Sequence, residues 1–346
     1  MNFRILSFLP IFLSLSPAGM SFAQTIKNLV FEGGGVRGIA YAGALMELES
    51  MHKLDSVERV AGTSAGAIAA TLYGLGYREQ EISHIISDLR IKSFNDGRWI
   101  FIGGTNRLIK KFGWYRGERF NRWMNELIKA KTGKENLTFM ELHEIAKKDK
   151  TFKDVYLTGT NLTRQTTEIF SYENYPDMEV RIAARISIGI PFYFEAIFID
   201  EKGKVIVQKK RRHEGDVLVD GGVIANFPIH VFDYTKYFLK NGDSTVAINP
   251  QTIGMRVDSD DQIEFDKKGH GLAPFQINSF RGFTNAFYNL INENLNRQKL
   301  TKDDWARTIT ISDKDISPRI RQMSQEDKML LINSGRKGVQ DYFLKK

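Results

Sequence analysis

Gly62-Thr63-Ser64-Ala65-Gly66 decides how this chain is read. The serine stands between glycines two places to either side, after Val60-Ala61 and before the small, apolar run Ala67-Ile68-Ala69-Ala70. That is the pattern of a strand, a sharp turn and a helix. Side chains at Gly62 and Gly66 would collide as the chain reverses, and the turn leaves the hydroxyl exposed over the end of a sheet. Working outward, Lys27 to Phe31 is a short apolar run that enters the cluster Glu32-Gly33-Gly34-Gly35-Val36-Arg37-Gly38, and Ile39 to Leu48 is rich in small and apolar residues. These read as a buried strand, a tight turn and a buried helix. Arg59-Val60-Ala61 is a second strand. The order strand, helix, strand, helix predicts an α/β fold on a parallel, helix-covered sheet.

A serine hydroxyl is a weak nucleophile, so it needs a base within hydrogen-bond reach and a preformed site for the charge that develops on the acyl oxygen. The glycine cluster meets the second need. Between a strand and a helix N-terminus, the amides of Gly33, Gly34, Gly35, Val36, Arg37 and Gly38 can turn toward one point as an oxyanion hole. The spacing Gly33-x-Gly35-x-x-Gly38 also matches a dinucleotide fingerprint, which expects an acid at the end of the next strand. Asp55 and Glu58 precede that strand, and it ends in Gly62-Thr63-Ser64. Downstream, the strand Val217-Leu218-Val219 delivers Asp220-Gly221-Gly222, whose glycines let the backbone turn sharply behind a carboxylate. Taken alone, Asp220 reads as a turn aspartate.

Taken together, the three stretches resemble the signatures of the patatin-like phospholipase family. Further likeness lies in Gly117-Glu118, in Ala183-Ala184-Arg185-Ile186-Ser187 through Pro191, and in Val223, Asn226 and Pro228, covering roughly residues 27 to 234. The resemblance implies a three-layer α/β/α fold with a mainly parallel central sheet. It implies a serine–aspartate dyad, with Ser64 as nucleophile and Asp220 as base, acting on lipid esters with no metal and no cofactor. Glu32 departs from the family's usual Asp and leaves open what anchors the loop. Arg37 has two readings, as a charge that holds the loop or as a contact to a lipid phosphate. Pro191 and Phe192 are candidates to shape an acyl pocket or simply to pack.

Two rival functions also fit these residues. One is an ordinary hydrolase using serine, aspartate and histidine in that order, with His230 or His270 as base. The other is a lipid-binding protein that kept the fold without turnover.

Composition bounds the setting. The 346 residues, 42% hydrophobic and 26% charged, allow one large α/β domain with a C-terminal extension. The formal charge of +8 favours anionic partners, yet no basic nucleic-acid motif is present, so a membrane surface or lipid aggregate is the expected contact. Residues 1–23 read as a secretory signal: Arg4, the apolar Leu6 to Leu15, then Ser21-Phe22-Ala23 as a cleavage site. Pro10, Pro17 and Gly19 interrupt the run, which is short of the ~20 apolar residues of a span. A periplasmic or secreted product follows. With no cysteine, disulfides and thiol chemistry are excluded.

The division expected is a signal peptide at 1–23, a catalytic domain at 27–234, and an extension at 235–346 that completes the domain or forms a small cap. Residues 79–90 and the face Phe120, Trp123, Met124, Leu127 and Ile128 read as amphipathic helices, and Thr138 with Glu141 as a capping box. Residues 155–160 and 167–170 read as adjacent strands, 180–188 as a helix, and 196–207 as a hairpin. The aromatic and basic stretch 98–115 reads as a packed loop or an interfacial cap, and Lys209 to Arg212 as a solvated loop or a head-group contact. In the extension, strands are expected at 245–248 and 308–311, and helices near 274–298 and 324–343.

Overall fold

The computed structural model describes residues 25–344, apart from 90, 98–99, 207–214, 317–322 and scattered positions between 276 and 299. The expected signal segment and the Lys209 to Arg212 run lie outside the described residues, as does most of 274–298.

The sheet follows from alternation. In β1 (Asn28–Phe31), Leu29 and Phe31 enter one hydrophobic cluster and Val30 enters another. β2 (Arg59–Gly62) divides the same way at Val60 and Ala61, as does β4 (Asp154–Asn161) at Val155, Tyr156 and Leu157. Successive side chains of a strand point to opposite faces, so each of these strands is buried on both sides, as parallel strands are. One face carries α1 (Ala40–Ser50), α2 (Ala65–Gly74) and the C-terminal helix Gln325–Leu344; the other is covered by the segment around Phe227, Ile229 and Phe232.

Among the described residues the sheet runs β10 (Thr308–Ser312), β9 (Thr252–Asp258), β1, β2, β4, β8 (Asp216–Asp220) and β7 (Ile197–Ile199), with β5 (Thr166–Phe170) on β4. The first five are parallel, while β5, β8 and β7 add antiparallel pairings. The sheet is thus mostly parallel and helix-covered, as expected. Register places the site. Gly62 at the end of β2 pairs with Leu157, and two residues further along β4, Gly159 pairs with Asp220. Ser64 is likewise two residues beyond Gly62. The overhang of β4 therefore brings the end of β8 to the height of the elbow.

The extension joins the same sheet through β9 and β10. Expectation and structure differ at 245–248, where Val246 forms only an isolated bridge to Tyr234 and is 74% exposed. The strand lies at 252–258 instead, where Thr252, Gly254 and Arg256 break the apolar run that sequence reading looks for, yet all are buried. α1 and the C-terminal helix pack backbone to backbone. A Cβ on Gly43 would lie 1.9 Å from the Ile332 carbonyl oxygen, and one on Gly335 2.0 Å from that of Ala40. Only glycine permits that approach.

From Ile100 on, the stretch expected as a loop or cap has regular structure. It holds α4 (Ile100–Lys111) and β3 (Gly113–Tyr115), which pairs in parallel with β6 (Phe192–Phe194). Arg107 is buried and donates to the Trp114 carbonyl at 2.9 Å. Of the expected hairpin, the turn and one bridge, Ile199 to Val205, are present; β7 takes β8 as its ladder partner. The helices α3 (Glu79–Asp88), α5 (Glu118–Thr132), α6 (Phe139–Lys148) with its Thr138–Glu141 capping box, and α7 (Val180–Ser187) stand where expected.

Candidate active site

Ser64 sits at φ 52°, ψ −119°, the strained conformation of a nucleophile elbow. The flanking glycines are required by contact: a Cβ on Gly62 would lie 2.2 Å from the Gly66 carbonyl oxygen, and one on Gly66 2.3 Å from that of Phe31. The Ser64 backbone N–H donates to Ser187 Oγ at 3.0 Å, so α7 pins the turn. Beside it, Thr63 and Thr158 hydroxyls meet at 2.5 Å and Thr63 donates to the Ala225 carbonyl, fastening the elbow to β4 and to the segment after Asp220.

Ser64 Oγ donates to Asp220 Oδ2 at 3.0 Å, and Gly222 N–H donates to Asp220 Oδ1 at 2.7 Å. Both carboxylate oxygens are therefore held, one by its own turn and one by the serine. Burial pushes the Asp220 carboxyl up to about 7, against those two hydrogen bonds, which pull it down. A carboxylate with a pKa near 7 is a far better proton acceptor for a hydroxyl than one in its ordinary range.

The glycine loop faces this pair. Gly35, Val36, Gly38 and Ser64 line one cavity of about 720 Å³. Gly33 is fixed on both sides by Asn226, whose carbonyl accepts from Gly33 N–H and whose Nδ2 donates to the Gly33 carbonyl, each at 3.0 Å. Arg37 N–H donates to the Gly34 carbonyl at 3.2 Å. The amides of Gly35 and Val36 enter no hydrogen bond among the described residues, so they remain available at the cavity wall. Gly221 is packed on Thr158 behind Asp220. Gly33, Gly34 and Arg37 support the loop but do not line the cavity.

The anchor left open by Glu32 is Arg256 on β9, whose Nη2 lies 2.8 Å from Glu32 Oε1 in a fully buried pair, while Tyr41 donates to the Glu32 carbonyl at 2.7 Å. Arg37 Nη1 pairs with Asp313 Oδ2 at 2.8 Å, the loop-holding contact of its two readings. Neither Arg256 nor Asp313 carries a motif signal in the sequence.

The cavity wall is mainly apolar, with Ile68, Phe94, Phe120, Ile188 and Phe194 at its buried parts, and Asp88, Ser324 and Gln325 exposed. Met323 and Lys328 contribute from the C-terminal end of the chain. Pro191 and Phe192 do not line it, and Phe192 is 73% exposed. A buried Arg185 donates to the Arg116 and Glu195 carbonyls, both at 2.9 Å, tying the α4–β3–β6 layer to the helix that bears Ser187.

No described histidine lines the cavity or bonds to Ser64 or Asp220. His230 Nε2 meets Asp304 at 3.0 Å, His143 meets Asp154 at 2.8 Å, and His270 packs edge-on against Phe265; His213 lies outside the described residues. His230, Asp233 and Asp304 form a cluster of metal-ligand type, but Arg307 already supplies its cation, bidentate to Asp233 at 2.5 and 2.6 Å and 2.7 Å from Asp304.

Comparison with known proteins agrees with the geometry. Residues 29–233 match the model of the patatin-like phospholipase family. An uncharacterized protein of Acanthamoeba polyphaga mimivirus is 27% identical over 95% of this chain and 97% of its own length. The uncharacterized YqhO of Bacillus subtilis is 33% identical, and a probable lipid hydrolase of Invertebrate iridescent virus 6 is 29% identical. Each aligns with 59% of this chain, which spans 65% and 62% of their lengths. Among solved structures, VipD from Legionella pneumophila superposes with a TM-score of 0.55 at 16% identity, covering 93% of this chain and 67% of that one. A chain of the ExoU–SpcU heterodimer from Pseudomonas aeruginosa gives 0.52 at 17%, covering 93% and 52%; these two likenesses concern the fold. A family match over more than half the chain, on the residues that build the elbow, the glycine loop and the Asp220 turn, places this protein in the patatin-like phospholipase family of lipid ester hydrolases.

Proposed function

We propose that this protein is an exported lipid acyl hydrolase of phospholipase A or esterase type, working through Ser64 and Asp220 alone. The observation that carries the reading is the 3.0 Å hydrogen bond from Ser64 Oγ to a buried carboxylate whose second oxygen is already occupied. In the proposed cycle Ser64 Oγ attacks the ester carbonyl as its proton passes to Asp220. The tetrahedral oxyanion is met by the amides of Gly35 and Val36. Asp220 then returns the proton to the departing alcohol. Water, deprotonated by the same carboxylate, attacks the acyl-enzyme, and Asp220 passes that proton to Ser64 Oγ as the fatty acid leaves. No cofactor enters these steps.

The size and lining of the cavity suit an acyl chain: about 720 Å³ is in the range of small-molecule sites, with apolar walls ending beside the reactive hydroxyl. Export to the periplasm or beyond rests on the signal pattern of residues 1–23. Contact with a membrane surface or lipid aggregate is supported by an exposed apolar row. Phe280, Phe283, Phe287 and Leu290 are each at least half exposed, lie on helical backbone, and fall on one helical face by their spacing. No helix among the described residues is long and apolar enough to cross a membrane.

Profiling lipids released by the wild type and by Ser64→Ala, side by side, tests the reading. Fatty acid release from phospholipid by the wild type alone is the expected result. Release that persists in Ser64→Ala contradicts the nucleophile. Lipid binding without any release marks a silent binder, and loss of activity on changing one of the six histidines to Ala restores the triad.

A further inference from the structure

We infer that Arg37 and Asp313 form a clamp that holds the glycine loop in its reactive geometry, with Asp313 acting as a positioning residue from outside the family-matched region. The inference rests on the hydrolase reading above and goes beyond it. The loop needs such a device. The N–H groups of Gly35 and Val36 head a short 3-10 turn, Gly35–Ile39, at the cavity wall, so their aim depends on what anchors that turn. The upstream anchor is Gly33 on Asn226, with Glu32 on Arg256 behind it. The downstream anchor is Arg37, whose Nε approaches the Gly34 carbonyl at 3.3 Å while Nη1 reaches Asp313 at 2.8 Å. One side chain thus closes the loop on itself and ties it to the sheet.

Asp313 is built to hold still. It follows β10, its N–H donates to the Asp258 carbonyl at 2.8 Å, and its Oδ1 accepts from Asp315 N–H at 2.9 Å, which leaves Oδ2 for Arg37. Parallel register puts it there: Asp258 pairs with Ser312 and Phe31 with Met255, so the ends of β1, β9 and β10 lie at the same edge as the loop. The side chains are 18% and 7% exposed, so solvent screens the pair only in part.

Misplacing an oxyanion donor weakens transition-state binding and leaves ground-state binding nearly untouched. Asp313→Asn is therefore expected to lower kcat on a soluble p-nitrophenyl ester by about 10- to 100-fold, with KM moving less than threefold. Fluorophosphonate labelling should slow in parallel, Asp313→Glu should recover part of the rate, and Arg37→Gln, on a partly exposed side chain, should reproduce the loss if Asp313→Asn does not fold. Wild-type kcat in both Asp313→Asn and Arg37→Gln overturns the clamp. So does a rise in KM for phospholipid, but not for the neutral ester, in Arg37→Gln with kcat kept, which assigns Arg37 to the lipid phosphate. The underlying reading fails separately, through activity that survives Ser64→Ala.

Discussion

Residues 27–234 and residues 235–346 contribute to one site in different ways. The first region supplies the atoms proposed to react: Ser64, Asp220 and the amides of the glycine loop. The second supplies none of them, yet Arg256 holds Glu32, Asp313 holds Arg37, and Met323 and Lys328 line the cavity. Reacting groups tolerate little change of residue type, so they appear as motifs. Supporting groups need only a charge or a volume at the right place in the sheet, so they leave no local pattern.

The strongest way to break this division is at the reacting pair. Ser64→Ala and Asp220→Asn should each lower kcat by roughly 10⁴-fold in an ester assay, whereas single His→Ala variants keep activity. Asp220→Asn carries a second, opposite signature. The Asp220 carboxyl rises from its ordinary range to about 7 in the fold, so the folded state binds that proton more tightly. The stabilisation is fully present below about pH 4 and is lost as pH rises through 7, on the order of 4 kcal/mol. Thermal denaturation at pH 8 should therefore show Asp220→Asn more stable than the wild type by several degrees, with the gap narrower at pH 5 and closed only below about pH 4.

Next comes the support. Arg256→Met leaves Glu32 buried without its 2.8 Å partner, and should cost about 3–5 kcal/mol in urea unfolding together with most of the activity. Full stability in that variant would mean that the extension is only attached to the catalytic region. In the cavity, Met323→Trp should shift preference toward shorter acyl esters by about tenfold in kcat/KM, measured on a chain-length series. The smallest effect belongs to Ser187→Ala, which removes the acceptor of the Ser64 N–H and should cost about 1 kcal/mol and a few-fold in kcat.

The same contrast decides how much of the molecule was legible in its sequence. The mostly parallel α/β fold followed from the alternation around β1, α1, β2 and α2, because buried strands and glycine turns have local signatures. Ser64, Asp220 and the loop were readable for the same reason. The sequence does not mark β9, because a fully buried Arg256 in mid-strand contradicts local rules and becomes reasonable only with Glu32 facing it. The pair of Arg37 with Asp313 spans 276 residues, and no periodicity reports a contact of that kind. The stretch 98–115 reads equally as loop or cap because its aromatic and basic residues serve both packing and solvent; Arg107 resolves its share by bonding to the Trp114 carbonyl.

The most direct test of the account is the pH dependence of fluorophosphonate labelling, with the modified residue mapped by peptide mass. The account predicts labelling at Ser64 whose rate rises with pH through about 7, and a slow rate in Asp220→Asn that no longer shows this step. Labelling that survives in Ser64→Ala, or a pH step near 7 that survives in Asp220→Asn, would contradict it.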